Sequence, residues 1–414
     1  MPKAMQYTKG SIIYFEGDLE ERVYIMQSGS VVLMSTDIES DTTVSEQVKS
    51  GEFFGVKSAL GHFPREERAL AMEPSVVIIL TIQEFEVLFS NNKPLIMKML
   101  RVFSNQLRQI HKKTESILNN ICEDQQNGML AVAKSFYEDE QYRSACDIYE
   151  KFLKNYPNSV SKDEVVRLYK DSHLRMEKLS RLSRNTIEFE DETVNSALNV
   201  FELPAFARFA KHYEPDQVII AEFEPGNSFY LIQSGRVQLV KCMNGVKKNL
   251  DILKPGEFFG EMAILDNSPR SATCVAIGNV KCLEFNKANF EVLITGNPQM
   301  ALLLLKLFCK RIYDQKRRFR ILCIKDLQAR LADVFLMLDE MNPVMNENEK
   351  QRRFNVTISD IAHWAGLKAD ITRDEINKLV ERRKIEVFDN YVIVNNINDL
   401  KRMYETRCNV GNAR

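Results

Sequence analysis

The sequence predicts an α+β multidomain chain: two copies of a small antiparallel β-barrel or jelly roll, a helical insert between them, and a helix-rich C-terminal module. Three observations lead there. Short β-branched runs separated by turn signals fill residues 11–15, 23–27, 31–34 and 76–82, a spacing that suits an antiparallel barrel better than alternating β-α units. An internal repeat doubles that barrel: Tyr24-Ile25-Met26-Gln27-Ser28-Gly29 returns as Tyr230-Leu231-Ile232-Gln233-Ser234-Gly235, an offset of 206, and Gly51-Glu52-Phe53-Phe54-Gly55 returns as Gly256-Glu257-Phe258-Phe259-Gly260, an offset of 205. Amphipathic helical patterns occupy the stretch between the copies and the tail from residue 321.

Composition bounds the function classes. At 414 residues the chain is long enough for two to four domains. Its 44% hydrophobic and 27% charged content is ordinary. A net charge of -1 argues against a protein that coats nucleic acid, so any DNA contact needs a local patch. The N-terminus has no apolar run of signal-peptide length, and the apolar stretch 300–308 is short and broken by Lys306. A cytoplasmic protein without a membrane segment is expected. The 8 cysteines and 5 histidines are scattered, as reduced thiols and solvated or core imidazoles would be, and no metal site is expected.

The chemistry concentrates in residues 255–273, PGEFFGEMAILDNSPRSAT. Glu261 and Arg270 stand nine residues apart around Gly260 and a short helical piece. An arginine forks two charge-assisted hydrogen bonds to a phosphate, and a carboxylate accepts from a ribose hydroxyl. The alternative is a β-turn with a surface ion pair. The stretch resembles, without a gap, the phosphate-binding cassette of cyclic-nucleotide-binding domains. That resemblance implies that Arg270 and Ser271 hold the cyclic phosphate, Glu261 accepts from the ribose 2′-OH, and Gly260, Met262, Ala263 and Ala272 supply backbone shape or amides. It also implies cAMP, or else cGMP, as effector.

The first copy differs where that chemistry lies. At the 205 offset Glu261 becomes Val56, Ser271 becomes Glu66 and Ala272 becomes Glu67, while Pro64-Arg65 is kept. Two acids beside an anion site repel the ligand, and the ribose acceptor is gone. One nucleotide site per chain is expected, with the first copy left to packing or partner contact.

After the first barrel, Leu95, Met99, Val102, Phe103, Leu107 and Ile110 form a helical stripe. Phe136, Tyr142, Ala145, Tyr149, Phe152 and Pro157 fall where one tetratricopeptide repeat places small and aromatic residues, and a charged helix opened by Ser161 follows over 161–185. A plain helical hairpin is the alternative; either way 125–190 is expected to dock a protein partner or a dimer mate. In the second barrel, 243–245 reads as a hairpin turn. Asn297-Pro298 opens a long helix whose Leu304, Leu305, Phe308 and Ile312 form an apolar stripe, the reason to expect a homodimer. In the family resembled, such a helix touches the base, which brings in Asp314, Gln315 and Lys316.

The tail is similar to a catabolite-activator (Crp/Fnr-type) winged helix. An amphipathic helix spans 325–341, Thr357 or Ser359 caps the next, Gly366 turns, residues 369–380 are the would-be recognition helix, and 387–394 with Asp389-Asn390 read as the wing. Where the bacterial family carries Arg-Glu and a further Arg, this chain carries Ala369, Asp370 and Asp374. From residue 321 onward there are 15 Lys+Arg and 15 Asp+Glu. Lys368, Arg373, Asn377 and Lys378 are the DNA-contact candidates.

The expected domains are therefore 1–124, a degenerate cyclic-nucleotide-binding-type domain; 125–194, the tetratricopeptide-like insert; 195–320, the cyclic-nucleotide-binding domain; and 321–414, the winged helix-turn-helix. The expected function is a cyclic-nucleotide-sensing transcriptional regulator. Its competitor is a nucleotide-sensing scaffold whose winged helix does not bind DNA. No paired carboxylates, Cys/His or Ser/His constellation suggests an enzyme.

Overall fold

The computed structural model describes residues 2–40, 42–117, 124–180, 204–243, 246–341 and 350–411. The expected turn at Asn244-Gly245 and the end of the charged helix beyond residue 180 lie outside the described residues. The chain divides into two compact units, one made of Met1–Ile82, Ile110–Leu118 and Cys309–Arg414, the other of Gln83–Gln109 and Asn119–Phe308.

In the first unit the barrel is built from β1 (Lys3–Tyr7), β2 (Ile12–Tyr14), β3 (Arg22–Ser28), β4 (Val31–Thr36), β5 (Thr43–Val48), β6 (Phe53–Phe54), α1 (Val56–Gly61), β7 (Arg68–Ala71) and β8 (Ser75–Thr81). The strands form two four-stranded antiparallel sheets, ordered β1-β8-β3-β6 and β2-β7-β4-β5. Inward-facing Tyr14, Tyr24, Met26, Val31, Phe54 and Val77 fill the space between them. Helix α2 (Ile82–Ser90) leads to α3 (Lys93–Ile117), whose Ile96, Leu100, Phe103 and Leu107 are buried. Val102, assigned to the buried stripe from sequence, is exposed instead.

The insert consists of α4 (Gln125–Glu138), α5 (Tyr142–Asn155) and α6 (Lys162–Ser180). Asp124 caps α4 by accepting from the Gln126 amide. Its Phe136, Ala145, Tyr149 and Phe152 are buried in one cluster with Val218, Ala221, Val240, Cys242 and Val275 of the second barrel. A lone helical hairpin cannot bury its own apolar face, and here a β-sheet covers it.

That second barrel comprises β9 (Ala210–Tyr213), β10 (Val218–Ile220), β11 (Ser228–Met243), β12 (Val246–Leu253), β13 (Phe258–Phe259), α7 (Glu261–Asp266) and β14 (Thr273–Asn286). The sheet order is β10-β14-β11-β12, with β13 on β11 and β9 on β14. Register shifts between Ile232 and Ser234 and between Ser234 and Arg236 let β11 and β14 bend through the barrel. Helices α8 (Lys287–Gly296) and α9 (Pro298–Cys323) follow, bent by 106°. Among the described residues no single helix is long and apolar enough to cross a membrane.

The tail folds as α10 (Leu327–Met341), β15 (Arg352–Phe354), α11 (Ile358–Ala365), α12 (Ala369–Glu381), β16 (Ile385–Val387), β17 (Val392–Val394) and α13 (Ile397–Gly411). Thr357, and not Ser359, caps α11 in a reciprocal box with Asp360. Gly366 ends that helix at φ 64°, a conformation only glycine adopts without strain. Strand β15, which the sequence did not suggest, pairs with β17 to make the hairpin a three-stranded sheet.

Candidate functional site

The second cassette is positioned by β13, which ends at Gly260, by α7 and by the turn into β14. Gly260 takes φ 82°, and an added Cβ would come 2.8 Å from an Arg270 nitrogen. Glu261, Met262, Ala263, Arg270 and Ala272 are all buried, while Ser271 is partly exposed. The Arg270 guanidinium donates to the Gly260 carbonyl at 2.7 Å and to Ser228 Oγ at 3.3 Å. Beneath it Tyr230 hydroxyl lies 3.1 Å from Ser228 Oγ and donates to Glu284 at 3.2 Å; burial pushes the Tyr230 phenol well above its ordinary range. An added Cβ on Gly226 would lie 2.6 Å from Arg270 Nε and 2.7 Å from its Cζ, so this glycine makes the room that the guanidinium fills.

Three more contacts frame the site, and sequence reasoning missed them. Lys241, buried on β11, donates to the Ser271 carbonyl at 2.8 Å and pairs with buried Glu222 at 2.9 Å. Arg108 on α3 forks the Asp266 carboxylate at the end of α7, with one bond of 3.0 Å, and reaches the Pro269 carbonyl at 3.3 Å. The backbone at Arg270 is clamped to the loop before β11: Phe223 N–H donates to its carbonyl at 3.0 Å and its own N–H donates to the Glu224 carbonyl at 2.9 Å.

The first copy repeats this frame but spends its arginine. Arg65, 1% exposed, donates to the carbonyls of Gly55 (2.6 Å), Glu20 (2.7 Å) and Arg22 (2.6 Å) and to Ser58 Oγ (2.8 Å). Its guanidinium also sits over the Tyr14 ring at 4.6 Å. Glu67 accepts from Tyr14, and Glu66 accepts from Lys316 at 2.8 Å with Lys57 at 3.9 Å. Burial alone would raise the Glu66 carboxyl, but these two cations outweigh it and hold it below the usual range. Phe63 stacks on Tyr313 with ring centres 4.0 Å apart.

This corrects one expectation. Lys316, assigned from spacing to the base of the second site, is bonded to Glu66 of the first cassette, and Gln315 belongs to the same compact unit as that first barrel. Distance along the chain from the second cassette did not fix the partner of Lys316, which is a residue 250 positions earlier. The stripe Leu304, Leu305, Phe308 and Ile312 is buried within the single chain and lends no support to a dimer.

On α12, the candidates Lys368, Arg373, Asn377 and Lys378 are exposed, as are Ala369, Asp370 and Asp374. Lys378 is tied to Glu375 at 2.6 Å, and Gln328 of α10 donates to the same carboxylate.

Residues 4–92 and 210–297 each match the cyclic nucleotide-binding domain family. Among known proteins, a cAMP-dependent protein kinase regulatory subunit of Mucor circinelloides f. lusitanicus is 37% identical over 83 residues, 20% of this chain and 19% of that protein. The cyclic AMP receptor protein of Thermus thermophilus is 30% identical over 148 residues, 36% of this chain and 65% of that protein. Each match thus spans less than two thirds of the relative. A CRP-like cAMP-activated global transcriptional regulator of Mycobacterium tuberculosis is 25% identical over 183 residues, 43% of this chain and 80% of that protein. Among solved structures, a CooA mutant from Carboxydothermus hydrogenoformans aligns with a TM-score of 0.42 at 17% identity, over 52% of this chain and 98% of that one.

Proposed function

We propose that the chain is a cyclic-nucleotide-sensing regulator with one nucleotide site, in the second barrel, and that cAMP is its effector, with cGMP the nearest competitor. The observation that carries this reading is the contrast between the two arginines. Arg65 is consumed by four acceptors of its own barrel and walled by Glu66 and Glu67, whereas Arg270 has two, one of them long. A phosphate oxygen is a better acceptor than Ser228 Oγ for a guanidinium in a closed site, and it adds charge neutralisation. In this reading Arg270 and Ser271 hold the cyclic phosphate, Glu261 receives the ribose 2′-OH, and Gly260, Met262, Ala263 and Ala272 shape the cradle. Lys241 fixes the Ser271 carbonyl from behind. Binding shifts the chain between states only by its differential affinity for them.

Titration calorimetry of the full chain with cAMP and cGMP tests the proposal. One site per chain, lost in Arg270→Ala and kept in Arg65→Ala, is expected; two sites, or none, refutes it. The output is proposed to be transcriptional, through α11 and α12 of a winged helix. A DNA-silent scaffold is the second reading, favoured by the acids and alanine exposed on α12. Gel shifts at several salt concentrations, with and without nucleotide, separate them, since phosphate contacts give a steep salt dependence.

A further inference from the structure

Phe223 lies at φ 67°, in the left-handed region that a bulky residue enters only under strain. The reason for that conformation is visible in the repeat. At the 206 offset its counterpart is Gly17, at φ 88°, and the backbone bonds coincide. Gly17 N–H donates to the Arg65 carbonyl at 2.9 Å as Phe223 N–H does to that of Arg270 at 3.0 Å; Arg65 N–H donates to Asp18, and Arg270 N–H to Glu224, both at 2.9 Å. The loop that frames the arginine demands this turn, and the second copy meets the demand without glycine.

What holds the strained residue is the helical insert. The Phe223 ring packs on α4 where Gly128 leaves room: a Cβ there would come 2.8 Å from two ring carbons. The neighbouring residue is gripped as well, because Lys151 of α5 donates to both Glu224 carboxylate oxygens at 3.2 Å and to the Ile219 carbonyl at 3.0 Å. Asp147 and Ser144 of the same helix take the Val218 N–H at 2.8 Å and give to the Asp216 carbonyl at 2.6 Å. Strain kept at one residue and relieved by contact with a separate element is a means of coupling the two.

We infer that Phe223 is a positioning residue for Arg270: with its ring seated on Gly128 it fastens the helical insert to the backbone that frames the guanidinium, so that the insert sets the affinity of the second barrel for nucleotide. This rests on the second barrel being the nucleotide site. By linkage, whatever displaces α4 alters nucleotide affinity, and nucleotide alters the hold on α4 by the same factor.

A double-mutant cycle on the full chain, with cAMP as probe, tests it. Gly128→Ala pushes against the ring and is expected to weaken binding about five-fold or more in the native background, a typical coupling, and less than about two-fold once Phe223→Gly has removed the ring. Phe223→Ala, which leaves a non-glycine residue in the strained turn but empties the seat that holds it, is expected to weaken binding to a similar extent and gives the reading should Gly128→Ala not accumulate as folded protein. An equal loss in both backgrounds, or native affinity in Gly128→Ala and Phe223→Ala, overturns the inference while leaving the nucleotide site standing. Native protein that binds no cyclic nucleotide overturns the site itself, a distinct result.

Discussion

Replacing Gly226 by alanine presses on Arg270, and on Ala263 beside it, without removing a hydrogen-bonding group. Gly226 is not among the glycines at positive φ, so alanine meets no backbone penalty there and the effect is steric alone. The new methyl would sit 2.6 Å from Arg270 Nε and 2.6 Å from Ala263 Cβ, against an ordinary contact distance of 3.4–4 Å. The guanidinium must retreat by roughly 0.8 Å, and overpacking of this kind costs about 1–3 kcal/mol of stability. A displaced guanidinium forfeits most of a charge-assisted bond to phosphate, about 1.5–3 kcal/mol, which is roughly a 10- to 150-fold rise in Kd. In the first copy Glu20 stands at the corresponding position, and Arg65 donates to its carbonyl at 2.7 Å. Calorimetry with cAMP reads the affinity, and a thermal scan reads the fold, where a loss of about 2–4 °C per kcal/mol is expected. Native affinity in Gly226→Ala refutes the assignment of Arg270 to the phosphate.

Arg108→Ala removes a fork to Asp266 that is largely buried, and should cost about 1.5–3 kcal/mol in urea unfolding; no change in midpoint refutes the contact. Lys241→Met strands Glu222 in the barrel interior, so a loss of about 3 kcal/mol is expected, read by the same assay, and the double variant with Glu222→Gln should recover part of it. Burial pushes the Asp147 carboxyl up to about 6 from 3.8, against the opposing pull of Val218 N–H, Arg143 and Lys151. Since the folded pKa lies above the unfolded one, this group's stabilising contribution is full below about pH 4 and is lost as pH rises through 6. Asp147→Asn should therefore raise stability at pH 7.5, by about 1–3 kcal/mol after allowance for its partial exposure, and give no gain at pH 4. A pH-independent difference contradicts the assignment.

The repeat was legible because it is literal: Gln-Ser-Gly and Gly-Glu-Phe-Phe-Gly recur where barrel turns leave little choice of residue. The second cassette stands out in the sequence for the same reason, and aligning the copies exposes Glu66 and Glu67 in the first. Tetratricopeptide-type spacing picked out Phe136, Ala145, Tyr149 and Phe152, which are buried, and Pro157, which is exposed, but it did not say against what the buried ones pack, because an apolar stripe fits a sheet as well as a helix. Arg108 was hidden among the cations of an amphipathic helix, 158 residues from its partner. Lys316 was assigned by its distance along the chain from the second cassette, which gives no hint of a partner 250 residues earlier. Phe223 leaves no local mark as a left-handed residue, but reading Gly17 against it at the 206 offset would have flagged the position.

The stripe on α9 also bears on how the molecule responds to dilution. Leu304, Leu305, Phe308 and Ile312 are at most 1% exposed within one chain, so no second copy is needed to cover this stripe of the helix that follows the second barrel. For a protein that must pair before it folds, the melting temperature climbs with concentration by mass action. Here folding is expected to be first order, with a melting temperature and a nucleotide dose-response curve that stay put across a hundredfold dilution, a range of about 2.7 kcal/mol in mass-action terms.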